Sequence, residues 1–137
     1  MEQPKFPDHP SPHQAFLRTR WVDEDSQGLL NNAIYLTLME EARYAFFSER
    51  GVMRSADFPF VLSQVNVRYL KPGRGASDVL VETCTTHVGN SSFIQNYRTS
   101  HRDSGEIWCE AEALLVCVDA QGSSCPMSAE FRAVLQD

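Results

Sequence analysis

The chain lacks any run approaching about 18 consecutive apolar residues, the length needed to cross a bilayer as a helix. Its first residues lack the apolar stretch of a secretory leader. Cysteine is sparse: Cys84, Cys109, Cys117 and Cys125, with no C-x-x-C pair, which argues against a zinc knuckle or a thioredoxin-like motif. Without an export signal, reduced thiols and a cytoplasmic location are expected, with the cysteines acting as small core residues. Positive charge is also scarce. Twelve Lys and Arg stand against 18 Asp and Glu, a net charge of -6. That balance argues against nucleic acid as a bulk partner and makes an anionic membrane surface a poor match. No His, Cys, Asp and Glu cluster has metal-ligand spacing, so neither metal nor cofactor is expected. His9 and His13 read as incidental residues of an N-terminal tail.

The 137 residues suffice for one domain with a real core, and 42% are hydrophobic. Residues 1–14 carry Pro4, Pro7, Pro10 and Pro12 and predict an extended, poorly ordered tail, leaving 15–137 as the domain. Phe16 to Val22 suits a short strand. Asp23-Glu24-Asp25-Ser26-Gln27-Gly28 reads as a turn. Asn31 or Asn32 can cap a helix running from about Asn32 to Arg50, and Gly51 is its stop. Tyr35, Leu38, Met39, Ala42, Ala45 and Phe46 recur at helical spacing and mark its buried face. Four strand candidates follow, around Val65–Tyr69, Val79–His87, Ser92–His101 and Glu106–Val118, and then a short helix from about Ser128 to Leu135. Consecutive strands joined by tight turns pair antiparallel. The class is α+β: a five-stranded antiparallel sheet wrapped around one long helix. One helix cannot cover both faces of that sheet, so a partner subunit is expected to hide the rest, as a dimer or a homotetramer.

The run Arg20-Trp21-Val22-Asp23-Glu24-Asp25-Ser26-Gln27-Gly28-Leu29-Leu30-Asn31-Asn32-Ala33-Ile34-Tyr35 resembles the opening motif of the 4-hydroxybenzoyl-CoA thioesterase family. Glu40-Glu41-Ala42-Arg43, Val67-Arg68-Tyr69-Leu70-Lys71-Pro72 and the Gly105 to Val118 ending are similar too, so the resemblance covers about residues 16 to 135. It implies the hotdog fold and dimers or dimers of dimers with interfacial active sites. It also implies hydrolysis of acyl groups carried by CoA or by acyl carrier protein. The residue matching the family's catalytic carboxylate is Asp25. By the same resemblance the N–H of Asn32 is the candidate for polarising the thioester carbonyl, with Gly28 allowing the turn toward the helix start.

A thiolate is a good leaving group because its conjugate thiol has a pKa of about 8.5. Such a reaction needs a nucleophile or base and donors for the oxyanion, and Asp25 can serve in either role. Tyr35, Ser63, Arg68 and Lys71 are candidate substrate contacts, and Gln64 could join Ser63 in orienting water. Asp23 reads as a turn residue. A calcium loop fails because Ile34 stands where a bidentate Glu is required. Glu40 and Glu41 are the other helix carboxylates that could serve as acid or base. Cys84 and His87 are three residues apart on a strand and point to opposite faces, which discounts a thiol nucleophile. Several CoA-specific relatives carry basic residues at a turn that here is Val88-Gly89-Asn90-Ser91, so a carrier protein stays open beside CoA. Two rival readings are a non-catalytic hotdog protein for acyl ligands or assembly, and a dehydratase. The dehydratase is disfavoured because Asn32 stands where some relatives carry His.

Overall fold

A computed structural model describes residues 2–52 and 59–136 of the chain. The strands are β1 (His13–Arg18), β2 (Phe60–Tyr69), β3 (Asp78–Val88), β4 (Ser92–His101) and β5 (Ile107–Cys117). The helices are α1 (Ile34–Glu49) and α2 (Ala129–Leu135). All strand pairings are antiparallel, in the order β1-β3-β4-β5-β2, so β1 and β2 are the edges.

The α1 helix has 16 residues, shorter at both ends than its sequence pattern suggests. At its start, Asn31 closes a turn instead of a helical turn. The Asn31 carbonyl accepts the Ile34 N–H and its side-chain Oδ1 accepts the Ala33 N–H, both at 2.9 Å. At its end, Gly51 adopts φ +90, and the Gly51 and Val52 N–H groups donate to Ser48 and Phe47 carbonyls at 3.1 and 2.9 Å. That pair of bonds is the Schellman stop, and it favours glycine because of the left-handed φ.

Tyr35, Leu38, Met39, Ala42, Phe46 and Phe47 of α1 are buried against the sheet. Along β3, β4 and β5 the facing residues are Val79, Val81, Phe93, Tyr97, Ala111, Ala113 and Leu115. Phe47 adds a second buried side to the helix because Phe60 of β2 and Phe131 of α2 close over it. Ser128 caps α2, its Oγ accepting the Phe131 N–H at 3.1 Å.

Two further segments differ from their sequence reading. The first strand starts three residues and ends four residues earlier than its apolar pattern, and Trp21–Asp23 form a single 3-10 turn. The cause is Asp23, whose Oδ2 accepts the Arg20 N–H at 2.7 Å and folds the chain back. The Pro-rich segment is extended, but it lies across the outer face of the sheet. Phe6 is buried there, its N–H donating to Glu110 at 2.8 Å, with the Arg98 guanidinium 4.7 Å over its ring. His13 and Gln14 already belong to β1.

Candidate active site

The loop from Asp23 to Ala33 is tied down from several directions. The Asn31 N–H donates to the Asp23 carbonyl at 2.9 Å, and the Asp25 N–H to the Leu29 carbonyl at 2.7 Å. From the turn after β2, the Gly73 carbonyl accepts the Leu30 N–H at 2.9 Å and Arg74 donates to the Gly28 carbonyl at 2.6 Å. Gly28 sits at φ +75, a left-handed conformation that lets this tight turn form. Gly75 is packed so closely that a β-carbon would lie 2.5 Å from the Arg20 carbonyl and 2.9 Å from Glu24 Cγ. Its N–H donates to Glu24 at 2.9 Å. Gly75→Ala is therefore expected to push the 20–24 turn outward and to lower stability by ~1–3 kcal/mol. Urea denaturation checks this, and an unchanged midpoint would contradict it.

Asp23 and Asp25 do different things in this loop. Asp23 is buried and takes the Arg20 guanidinium at 2.9 and 3.1 Å as well as its N–H. Burial pushes the Asp23 carboxyl up, but the bonds and charge of Arg20 outweigh it and hold the group below the usual carboxylate range. A depressed folded-state value gives stability that is fully present above the unfolded pKa of about 3.9 and is lost as pH falls through the lower folded value. The melting temperature of the parent is expected to drop more steeply below about pH 4 than that of Asp23→Asn. Coincident acid limbs would contradict this role.

Asp25 is exposed, and one of its oxygens, Oδ1, accepts the Gln27 and Leu29 N–H groups at 2.8 and 3.2 Å. Among the described residues no hydrogen bond reaches Oδ2, nor does any acceptor take the Asn32 N–H. Asp25 and Asn32 line one cavity of about 280 Å³ with Gln27, Leu29, Tyr35, Tyr69 and Lys71. Tyr35 is almost fully buried, and its hydroxyl accepts the Gly73 N–H at 3.0 Å. Burial raises the pKa of the Tyr35 and Tyr69 hydroxyls, so both stay neutral. Burial also pushes the nearby Cys109 thiol up to about 11, which leaves it a poor nucleophile.

Of the residues singled out from sequence, Asp25, Asn32, Tyr35 and Lys71 share this cavity, with Gly28 in the loop beside it. Arg68 pairs with Glu110 across the β2–β5 ladder and, by strand alternation, faces away from Tyr69. Ser63 sits at a bulge in β2, exposed and roughly 20 Å along the strand from Tyr69. Glu40 lines a second cavity of about 290 Å³ with Arg43, Tyr44, Phe60, Leu62 and Leu115. Glu41 is exposed and lies outside both cavities. Tyr69 was not singled out from sequence, although strand parity puts it on the side of Val65, Val67 and Lys71. Among the described residues no group of three or more His, Cys, Asp and Glu is placed to hold a metal ion. No described helix is long and apolar enough to cross a membrane.

Solved structures of other proteins share this architecture. A candidate thioesterase from Pseudomonas aeruginosa is 32% identical with a TM-score of 0.79, the match covering 90% of this chain and 98% of that one. A thioesterase from Thermus thermophilus, solved with coenzyme A and zinc, is 26% identical with a TM-score of 0.78, over 89% and 90%. A 1,4-dihydroxy-2-naphthoyl-CoA thioesterase from Synechocystis reaches a TM-score of 0.81 over 91% and 96%, but at 15% identity it shares the fold alone. No curated protein matches the chain. The model of the thioesterase-like superfamily matches residues 18–135, and with it the loop, helix and sheet that build the cavity. The chain is a thioester hydrolase and belongs to the thioesterase-like superfamily.

Proposed function

We propose that residues 15–137, together with His13 and Gln14 at the start of β1, form one hotdog domain, its sheet curled around α1, that hydrolyses acyl thioesters to free acid and thiol at the Asp25 cavity. The observation that carries this reading is the meeting of a carboxylate oxygen and an amide N–H, neither engaged by another described residue, at one cavity. The carbonyl oxygen of the thioester accepts the Asn32 N–H, which stabilises the oxyanion as it forms. Asp25 then acts by one of two routes. As nucleophile it attacks the carbonyl carbon, expels the thiolate and leaves an acyl anhydride for water to open. As general base it takes the proton from a water that attacks. The half-apolar lining from Leu29, Leu30, Leu70 and Pro72 suits the acyl or pantetheine chain, and Lys71 supplies a cation at the rim.

The carrier is CoA or an acyl carrier protein, and the Thermus relative solved with coenzyme A favours CoA. The protein is proposed to work as a homodimer or dimer of dimers. Val61 and Leu62 on edge strand β2 and Tyr44 on α1 are about half exposed, at 51%, 48% and 49%. An edge strand bearing apolar side chains calls for a cover, and a second copy supplies one.

A panel of thioesters varied in acyl group and carrier, followed by free-thiol detection with light scattering on the same sample, tests this. Turnover of at least one substrate by a species of two or four chain masses is expected. Hydrolysis no faster than buffer across the panel, or a monomer at micromolar concentration, would refute the corresponding half of the proposal.

A further inference from the structure

The Asn32–Ala33 peptide is held at both ends. Its N–H, that of Ala33, donates to Asn31 Oδ1 at 2.9 Å. Its carbonyl, that of Asn32, accepts the hydroxyl of Tyr69 at 2.8 Å. The preceding peptide is held too, because the Asn31 carbonyl accepts the Ile34 N–H at 2.9 Å. Two pinned peptide planes leave φ and ψ of Asn32 little freedom, so the Asn32 N–H, which lies in the first plane, keeps one direction relative to the second plane that Tyr69 holds. Two of these holding groups, Asn31 Oδ1 and the Ile34 N–H, are local to the loop. The third, the phenol of Tyr69, comes from the last residue of β2 across the cavity.

The Tyr69 ring is itself placed. It meets the Tyr35 ring edge to face, with centroids 5.0 Å apart. Tyr35 in turn is fixed by the Gly73 N–H. The sheet edge thus reaches the loop through two tyrosines in edge-to-face contact and one phenolic hydrogen bond. The Tyr69 hydroxyl is committed to a backbone carbonyl, so its effect on a reaction passes through the peptide it holds.

We propose that Tyr69 is a positioning residue: its hydroxyl locks the Asn32–Ala33 peptide and so aims the Asn32 N–H at the oxyanion. This rests on the reading of that N–H as the polarising donor. A donor aimed before the substrate arrives stabilises charge without reorganising, and a misplacement of about 1 Å can cost on the order of 100-fold. A phenol has a pKa of about 10, and partial burial raises that of Tyr69 further, so the hydroxyl is a donor at neutral pH.

Tyr69→Phe tests this because it keeps the ring contact with Tyr35 and removes only the hydroxyl. The expected result is a fall in kcat of roughly 10- to 100-fold with KM within about twofold, since the aim of the donor matters most in the transition state. The Asn32 and Ala33 amide resonances of the variant are expected to shift or broaden, while oligomer size and melting temperature stay close to the parent. A parental kcat in Tyr69→Phe, alongside a steep loss in Asp25→Asn, overturns the role of Tyr69 and leaves the catalytic reading standing. A change in KM alone makes Tyr69 a substrate contact and also overturns it. A fall in kcat with unmoved Asn32 and Ala33 amides refutes the positioning route. If Asp25→Asn is itself parental, the underlying reading fails and this inference fails with it.

Discussion

Asp25→Asn is expected to lower kcat by on the order of 10²–10⁴, with a much smaller change in KM. The amide of Asn keeps a side-chain oxygen that can accept the Gln27 and Leu29 N–H groups, so the turn that Asp25 closes is expected to survive. What disappears is the charge on the oxygen that no described residue engages. A neutral amide can neither attack a carbonyl nor take a proton from water. The competing reading is that Asp25 is a turn residue and nothing more, and its two backbone bonds give that reading substance. The two readings part in the kinetics. A turn residue replaced by Asn shows parental turnover and a small stability change, whereas a catalytic carboxylate shows parental stability and lost turnover. Asp23→Asn is the control, because its carboxylate is engaged on Arg20 and its loss is expected to appear in acid stability more than in rate.

Phe47→Ala is expected to destabilise the fold by ~3–5 kcal/mol, a large share of the ~5–15 kcal/mol that holds a domain together. Phe47 has no exposed surface and its ring meets those of Phe46, Phe60, Phe93 and Phe131, with centroids 5.0 to 6.1 Å apart. It joins α1, β2, β4 and α2, so the cavity left by truncation is bounded by four elements that cannot all close on it. Phe47→Leu refills most of the volume and is expected to cost far less. Urea denaturation of both variants measures the difference, and a loss below about 1 kcal/mol in Phe47→Ala would contradict the packing described.

The parts of this molecule that obey a simple period were legible in its sequence. The buried stripe of α1 from Tyr35 to Phe46, the Gly51 stop and the strand from Ser92 to His101 all follow from spacing and turn residues. Phe47 lies off that stripe, and its burial depends on α2 and β2 arriving from far along the chain. Trp21 and Val22 look like strand residues, yet they are 77% and 69% exposed, because one carboxylate at Asp23 turns the chain before them. Phe6 is a lone aromatic among prolines, and nothing local indicates the sheet face that receives it. At the site, Asp25 and Asn32 stand out through a motif of contiguous residues. Tyr69 and Gly73 reach the same place through the β2 edge and the turn after it, where contact depends on register. Ser63 illustrates the same limit, since its position depends on a bulge between Leu62 and Gln64 that alternation alone does not reveal.

The most direct measurement is a structure of the protein with a substrate analogue whose thioester sulfur is replaced by a methylene group. The analogue's carbonyl oxygen is expected about 3 Å from the Asn32 nitrogen. The carbonyl carbon is expected within about 3.5 Å of an Asp25 oxygen, or of a water bonded to that oxygen. A carbonyl found instead beside Glu40 and Arg43 in the second cavity, with the Asp25 cavity empty, would contradict catalysis by Asp25.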